Sequence, residues 1–400
     1  MRRLVCALPV ILLASSAAAQ QKPRARALGV AFEGTPGPLN AITDVSGVEV
    51  GHTTLISGSG KLIVGRGPVR TGVTAILPRG KSGLTDPVFG GWFAQNGNGE
   101  MTGTNWIEES GFLEGPVMIT NTHSVGVVRD AVIAWQVKHN AKFQPWSMPV
   151  VAETYDGYLN DTDGFHVKAE HAWEAIDGAQ SGTVAEGAVG GGTGMICFGY
   201  KGGIGTASRR LPSAQGGYTV GVLVQCNTGG RQQLRIGGEL VGPELNQGAP
   251  KIASEAPGAG GGQTERGSII IVIATDAPLL PHQLKRIARR ATMGLARDGA
   301  ISSNGSGDLF LAFSTANPGV AGGKSDLTTM NRASAPARVE MVRNDAITPL
   351  FDATVQATEE AIINALVAAE DMCGADGHFV PALPHDVLRQ VLRRHGRLTE

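Results

Sequence analysis

The chain has 400 residues, 42% of them apolar, with 34 Lys plus Arg against 35 Asp plus Glu and a formal net charge of −1. That near balance excludes a strongly basic nucleic-acid binder, and the length is enough to bury a substantial core as one domain or as several. Nine histidines lack any His-Glu-x-x-His, and His52, His123, His166, His171, His282 and His385 stand singly, so no metal site is expected.

Residues 1–19, MRRLVCALPVILLASSAAA, place Arg2 and Arg3 before a short apolar run and small residues. This reads as an export signal cut before Gln20, which predicts a periplasmic or secreted protein with no membrane span after signal removal. Loss of Arg2 and Arg3 leaves 32 basic against 35 acidic residues. Strands are predicted at Val73 to Leu77, Val117 to Thr120, Tyr218 to Val224, Ile269 to Ala274 and Leu309 to Ser314, from short apolar or β-branched runs. Helical patterns fall between them, at Val125 to Trp135 and His171 to Ile176. After Pro281, Leu284, Ile287, Ala288, Ala291 and Leu295 share one face, and Lys285, Arg286, Arg289 and Arg290 read as its solvated side. Further helices are expected at Thr354 to Ala369 and Pro384 to Leu392. Such interleaving predicts an α/β layered fold with helices outside the sheets, in one integrated globule.

Three cysteines survive signal removal, Cys197, Cys226 and Cys373. They read as buried thiols, with one disulfide possible. Fifty-seven glycines fall in clusters such as Gly190-Gly191-Gly192 and imply tight turns and close backbone approaches. These clusters lack the strand, helix and distant acid of a dinucleotide fingerprint, so no cofactor is expected.

The segment from Leu240 to Arg266, rich in Gly, Pro, Ala and Glu, reads as an exposed linker. It ends directly in Gly267-Ser268 and then the strand from Ile269. A cut there places a serine with a free amine at the head of a strand, and that amine, of ordinary pKa about 8, can take the hydroxyl proton.

Several long segments bear on this reading. They include PRARALGVAFEGTPGPLNAITDVSGVEVGH (Pro23 to His52), VVAETYDGYLND (Val150 to Asp161), VAEGAVGGGTGMI (Val184 to Ile196), KGGIGTASR (Lys201 to Arg209), YTVGVLVQCN (Tyr218 to Asn227), SIIIVIATDAPLLPHQLKRIARRA (from Ser268), NGSGDLFLAFST (from Asn304) and VQATEEAI (from Val355). In this order they resemble the DmpA and BapA group of self-processing serine aminopeptidases over nearly all of the mature chain, the β-peptidyl branch most closely. The resemblance implies a four-layer αββα sandwich, similar to N-terminal nucleophile hydrolases but differently connected. It also implies self-cleavage into an α chain, residues 20–267, and a β chain, residues 268–400, which stay associated and assemble as a tetramer of processed heterodimers.

The resemblance assigns site residues too. Ser268 is the nucleophile, freed by cleavage at Gly267. Ser306 and Asp308 orient and tune it; the β-peptidyl branch usually carries Glu at the latter position, so the carboxylate here is one methylene shorter. Without the resemblance, Asn304 to Asp308 would read as a glycine-rich turn. Asn227, at the end of a strand, is an oxyanion donor or else a turn cap before Gly229-Gly230. Glu153 holds the substrate ammonium. Tyr155 assists the oxyanion or packs as an aromatic. The expected substrate is a short peptide or amino-acid amide with a free N-terminus. An L-aminopeptidase with D-amidase and D-esterase activity is the alternative within enzymes, and a non-catalytic exported binding or structural protein the alternative outside them.

Overall fold

The computed structural model describes residues 22–245, 267–322 and 336–398; the expected export signal, residues 1–19, and residues 246–266 of the expected linker lie outside the described residues. In chain order the main elements begin β1 (Glu49–Ser57), β2 (Val69–Leu77), β3 (Val88–Gly97), α1 (Thr104–Ser110), β4 (Phe112–Leu113), β5 (Val117–Asn121), α2 (Val125–Lys138), β6 (Val150–Thr154) and α3 (Ala169–Asp177). The hairpin β7 (Ile196–Cys197) and β8 (Tyr200–Lys201) leads to β9 (Gly203–Arg210), β10 (Thr219–Asn227), β11 (Arg235–Ile236), β12 (Glu239–Leu240) and α4 (Gly242–Leu245). After the linker come β13 (Ser268–Thr275), α5 (Pro281–Arg297), β14 (Gly307–Ser314), α6 (Thr348–Val367) and α7 (His385–Arg394).

Two sheets stack face to face. One has the order β1-β2-β5-β6, the other β4-β3-β14-β13-β10-β9. Three cores fill the four-layer αββα sandwich. Helices α2 and α3 cover the first sheet through Val128, Val132, Ala172 and Ile176. Between the sheets lie Ile76, Ile119, Leu223, Ile270 and Val272. Helices α5 and α6 close the far face through Leu284, Ile287, Ala361 and Leu366.

Strand β13 explains why so apolar a run sits at the centre. Ile269, Ile271 and Ile273 join the helix-side core while Ile270, Val272 and Ala274 join the inter-sheet core, so both faces of the pleat are buried. By the same alternation Ser268 belongs to the inter-sheet face. Its strand pairs antiparallel with β10 and parallel with β14, and thus joins segments on both sides of the expected cleavage point.

The expected strands and helices all form, with longer bounds in most cases. The helix after Pro281 opens with a backbone bond from Leu280 N–H to Gln283 Oε1 at 3.0 Å, which satisfies a donor left over at the helix start. Three expectations need correction. The linker begins later than Leu240, because Val241 and Leu245 are buried in the helix-side core and Glu244 pairs with Arg394 and His395. The basic face of α5 is not simply solvated: the guanidinium groups of Arg286 and Arg290 lie over the Phe351 ring and that of Arg289 over Phe93, the geometry of cation–π contact. Of the cysteine readings, the one disulfide left open forms, between Cys197 and Cys226, while the buried-thiol reading fails at Cys373, which is exposed.

Candidate active site

Ser268 is the first residue of β13 and is 6% exposed. In the sheet register it stands between Asn227 of β10 and Gly307 of β14. Pairing with strands on both sides fixes its main chain, so the hydroxyl has only χ1 to adjust. The Gly307 N–H donates to Ser268 Oγ at 3.1 Å and orients a hydroxyl lone pair.

Gly267, immediately before it, has φ +141°, and a Cβ there would come within 1.9 Å of the Asn227 carbonyl oxygen. A bare backbone is therefore required where the chain passes Asn227 on its way to the serine.

Ser306 and Asp308 flank Gly307, both with no exposed surface. Ser306 Oγ donates to Asp308 Oδ1 at 2.5 Å, a short charge-assisted bond. The pair brackets the residue whose N–H holds Ser268. Between Asp308 and Leu309 the register with β3 shifts, and such irregularities commonly re-aim side chains beside active sites.

Asn227 has its amide orientation set by its neighbours. The Ile196 N–H donates to Oδ1 at 2.8 Å, while Nδ2 donates to the Tyr155 carbonyl at 3.0 Å. An N–H cannot face an NH2 group, nor a carbonyl face Oδ1, so among the described residues the two contacts leave one Nδ2 hydrogen without a partner, a donor of the kind that can meet developing negative charge. Tyr155 thus joins the site through its backbone. Its ring is 54% exposed, and its hydroxyl lies over Gly157, where a Cβ would be only 2.2 Å away.

Glu153 comes from the other sheet, near the end of β6, and is 4% exposed. It accepts hydrogen bonds from the Glu100 N–H at 3.0 Å and from the Thr122 hydroxyl. Burial raises its pKa above the ordinary 4.5, against the opposing effect of these two donors. A Cβ on Gly99 would lie 3.2 Å from both Glu153 Oε1 and Gly307 Cα. Only a glycine separates the anion from the loop that holds Ser268. Next to Tyr155, Asp156 is fully buried, accepts from Asn121 and Asn160 at 3.0 and 3.1 Å, and is pushed up by burial to about 6.

The fold therefore brings together Ser268, Asn227, Ser306, Asp308 and Glu153, with Tyr155 attached by its carbonyl. Sequence reasoning missed Gly99, Thr122 and the N–H groups of Gly307 and Ile196. Backbone donors leave no residue-type signature, and only the spacing of the glycines pointed toward close approach.

A serine at the head of a central strand in an αββα sandwich, flanked by an amide donor and faced by a buried carboxylate, defines a serine hydrolase of the N-terminal nucleophile type. The chain belongs to peptidase family S58, which matches residues 40–380. It is 55% identical over 395 residues to the beta-peptidyl aminopeptidase BapA of Sphingosinicella microcystinivorans, covering 97% of this chain and 96% of that one. Among solved structures it is similar to a Burkholderia sp. beta-aminopeptidase, with TM-score 0.85 and 48% identity over 94% of this chain and 99% of that one. The L-aminopeptidase D-Ala-esterase/amidase of Ochrobactrum anthropi, described as a variant of the Ntn hydrolase fold, gives TM-score 0.83 and 48% identity over 94% of this chain and all of that one.

Proposed function

We propose that this protein is a β-peptidyl aminopeptidase that releases unblocked N-terminal β-amino acids from short peptides and amides through an acyl-enzyme on Ser268. The observation that carries the reading is the register placing Asn227 and Gly307 on either side of Ser268, with Glu153 across Gly99.

In the first reaction, Ser268 Oγ attacks the Gly267 carbonyl. The C–N bond to Ser268 breaks, an ester forms, and the hydroxyl proton ends on the departing nitrogen; water then hydrolyses the ester to free Gly267 as a carboxylate. The new Ser268 amine next acts as base for its own hydroxyl. Glu153 holds the substrate ammonium, and Oγ attacks the first carbonyl while the free Nδ2 hydrogen of Asn227 stabilises the oxyanion. The peptide amine leaves with the proton, and water releases the acid.

The α and β chains stay together in this scheme because β13 and β14 of the second are paired with β10 and β3 of the first. Residues 1–19 support export to the periplasm or beyond, and the family resemblance supports a tetramer of processed heterodimers. No cofactor takes part. A second reading, an L-aminopeptidase with D-amidase and D-esterase activity, is favoured by the Ochrobactrum likeness.

The test is a denaturing gel with N-terminal sequencing, followed by kinetics. Wild type should give a 133-residue fragment beginning Ser268-Ile269-Ile270, and Ser268→Ala should stay one inactive chain. Normal splitting of purified Ser268→Ala refutes self-cleavage by this residue. Free p-nitroanilides of β-alanine, L-alanine and D-alanine then rank the two readings, and a preference for L-alanine over β-alanine selects the second.

A further inference from the structure

Lys201 has no exposed surface, a state lysine rarely occupies unless paired. Its three ammonium donors are all used by main-chain carbonyls: Gly202 at 2.8 Å, Met195 at 2.9 Å and Gly192 at 3.3 Å. Burial draws its pKa down to about 7, as expected for a desolvated cation held by dipoles instead of a carboxylate.

The place of this cation in the fold gives it a task. In the β7-β8 hairpin, Lys201 is the direct cross-strand partner of Ile196, and the Ile196 N–H is what fixes Asn227 Oδ1. The far side of this contact is already tied. Cys197, the next residue, is bonded to Cys226, the residue before Asn227, and the Phe198 N–H donates to the Thr228 carbonyl at 2.7 Å. The near side, Gly192 to Met195, has no covalent tie and contains two glycines. The ammonium spans that stretch, bonded to the carbonyls at both of its ends.

We propose that Lys201 is a positioning residue for the reaction: by bonding the carbonyls of Gly192, Met195 and Gly202 it holds the turn whose Ile196 N–H aims the Asn227 carboxamide at the oxyanion. Removing the cation does not strip the turn of all its bonds, since the Met195 carbonyl keeps the Gly202 N–H at 2.9 Å and the Gly192 carbonyl keeps the Met195 N–H at 3.3 Å. Loss of Lys201 therefore loosens Ile196 without unfolding the sheet. With Ile196 loose the Asn227 amide can rotate, and the penalty falls on the transition state.

The inference rests on Asn227 as the oxyanion donor, and a double-mutant cycle separates the two ideas. Lys201→Met, assayed as cleaved enzyme on β-alanine p-nitroanilide, should lower kcat at least tenfold with KM within about twofold. In cleaved Asn227→Ala enzyme the same substitution should change kcat less than about twofold. Lys201→Gln, which keeps two donors, should recover part of the loss. A Lys201→Met enzyme with wild-type kcat, or an equal loss in both backgrounds, overturns the proposal. A normal kcat in Asn227→Ala alone instead refutes the oxyanion reading beneath it. Hydrogen exchange on the uncleaved Ser268→Ala chain needs no activity: adding Lys201→Met should speed exchange at Met195 and Ile196 while β13 stays protected, and unchanged protection at Ile196 overturns the proposal.

Discussion

Replacing Gly267 by alanine asks whether the backbone beside the scissile bond must be bare. The new Cβ would lie 1.9 Å from the Asn227 carbonyl oxygen, 2.8 Å from its carbonyl carbon and 3.2 Å from Thr228 Cα. All three are main-chain atoms at the end of a paired strand, so no side chain can swing aside. The conformation at φ +141° adds about 1–3 kcal/mol for a residue carrying a Cβ. Restoring ordinary carbon contact requires a shift of roughly 1.5 Å, and a misplacement of about 1 Å between reacting groups slows a reaction about 10²-fold. Gly267→Ala precursor should thus cleave roughly 10²-fold more slowly than wild type, followed as loss of the full-length band with time on a denaturing gel. Gly126→Ala is the matched control, because a Cβ there meets nothing within 4 Å. Near-ultraviolet circular dichroism should show both precursors folded. A folded Gly267→Ala chain that splits at the wild-type rate refutes the reasoning.

Four further outcomes are expected. Asn227→Ala, assayed once cleaved, should lose roughly 10² to 10³ in kcat with a smaller change in KM, corresponding to about 3–4 kcal/mol of oxyanion stabilisation. Because burial raises the Glu153 pKa and the substrate ammonium needs the carboxylate, the acid limb of kcat/KM should fall at a pH above the ordinary glutamate value; Glu153→Gln should remove that limb and narrow the gap between free and N-acetylated substrates, which wild type should distinguish by at least about tenfold. Ser306→Ala takes a donor from the buried Asp308 carboxylate and should reduce stability by about 1–3 kcal/mol, read as a lower melting temperature. Asp156 titrates near 3.8 unfolded and about 6 folded, so the folded state binds the extra proton between these values and stability should drop as pH rises from about 4 to 6, by up to about 3 kcal/mol; denaturant titrations across that range, with Asp156→Asn as the flat reference, check the sign.

Much of the architecture was legible from residue pattern. A strand reading Ile269-Ile270-Ile271-Val272-Ile273-Ala274 has no polar face, so it had to be central, and the apolar stripe of α5 had to cover a sheet. The position of Ser268 at the head of that strand followed from the glycine-rich segment before it. The long ordered matches to a self-processing aminopeptidase group supplied Asn227, Glu153, Ser306 and Asp308 as expected site residues; pattern alone would have left Ser306 and Asp308 in a glycine-rich turn and Asn227 open to a turn-cap reading.

Tertiary structure decided what each of them touches. Asn227 and Ser268 lie on strands separated by a long connection, and only the antiparallel register of β10 and β13 makes them neighbours. Spacing also left the pairing of Cys197 with Cys226 open, since that depends on β7 folding against the end of β10. The segment from Leu240 to Leu245 looked like linker by composition, yet Val241 and Leu245 find an apolar core to enter. Above all, the groups that aim the site are backbone: the N–H of Gly307 for the serine, the N–H of Ile196 and the carbonyl of Tyr155 for the amide. Every residue except proline carries the same N–H and every residue the same carbonyl, so the side-chain alphabet specified the strand, the serine and the acids, while their aim arose only when the sheets paired.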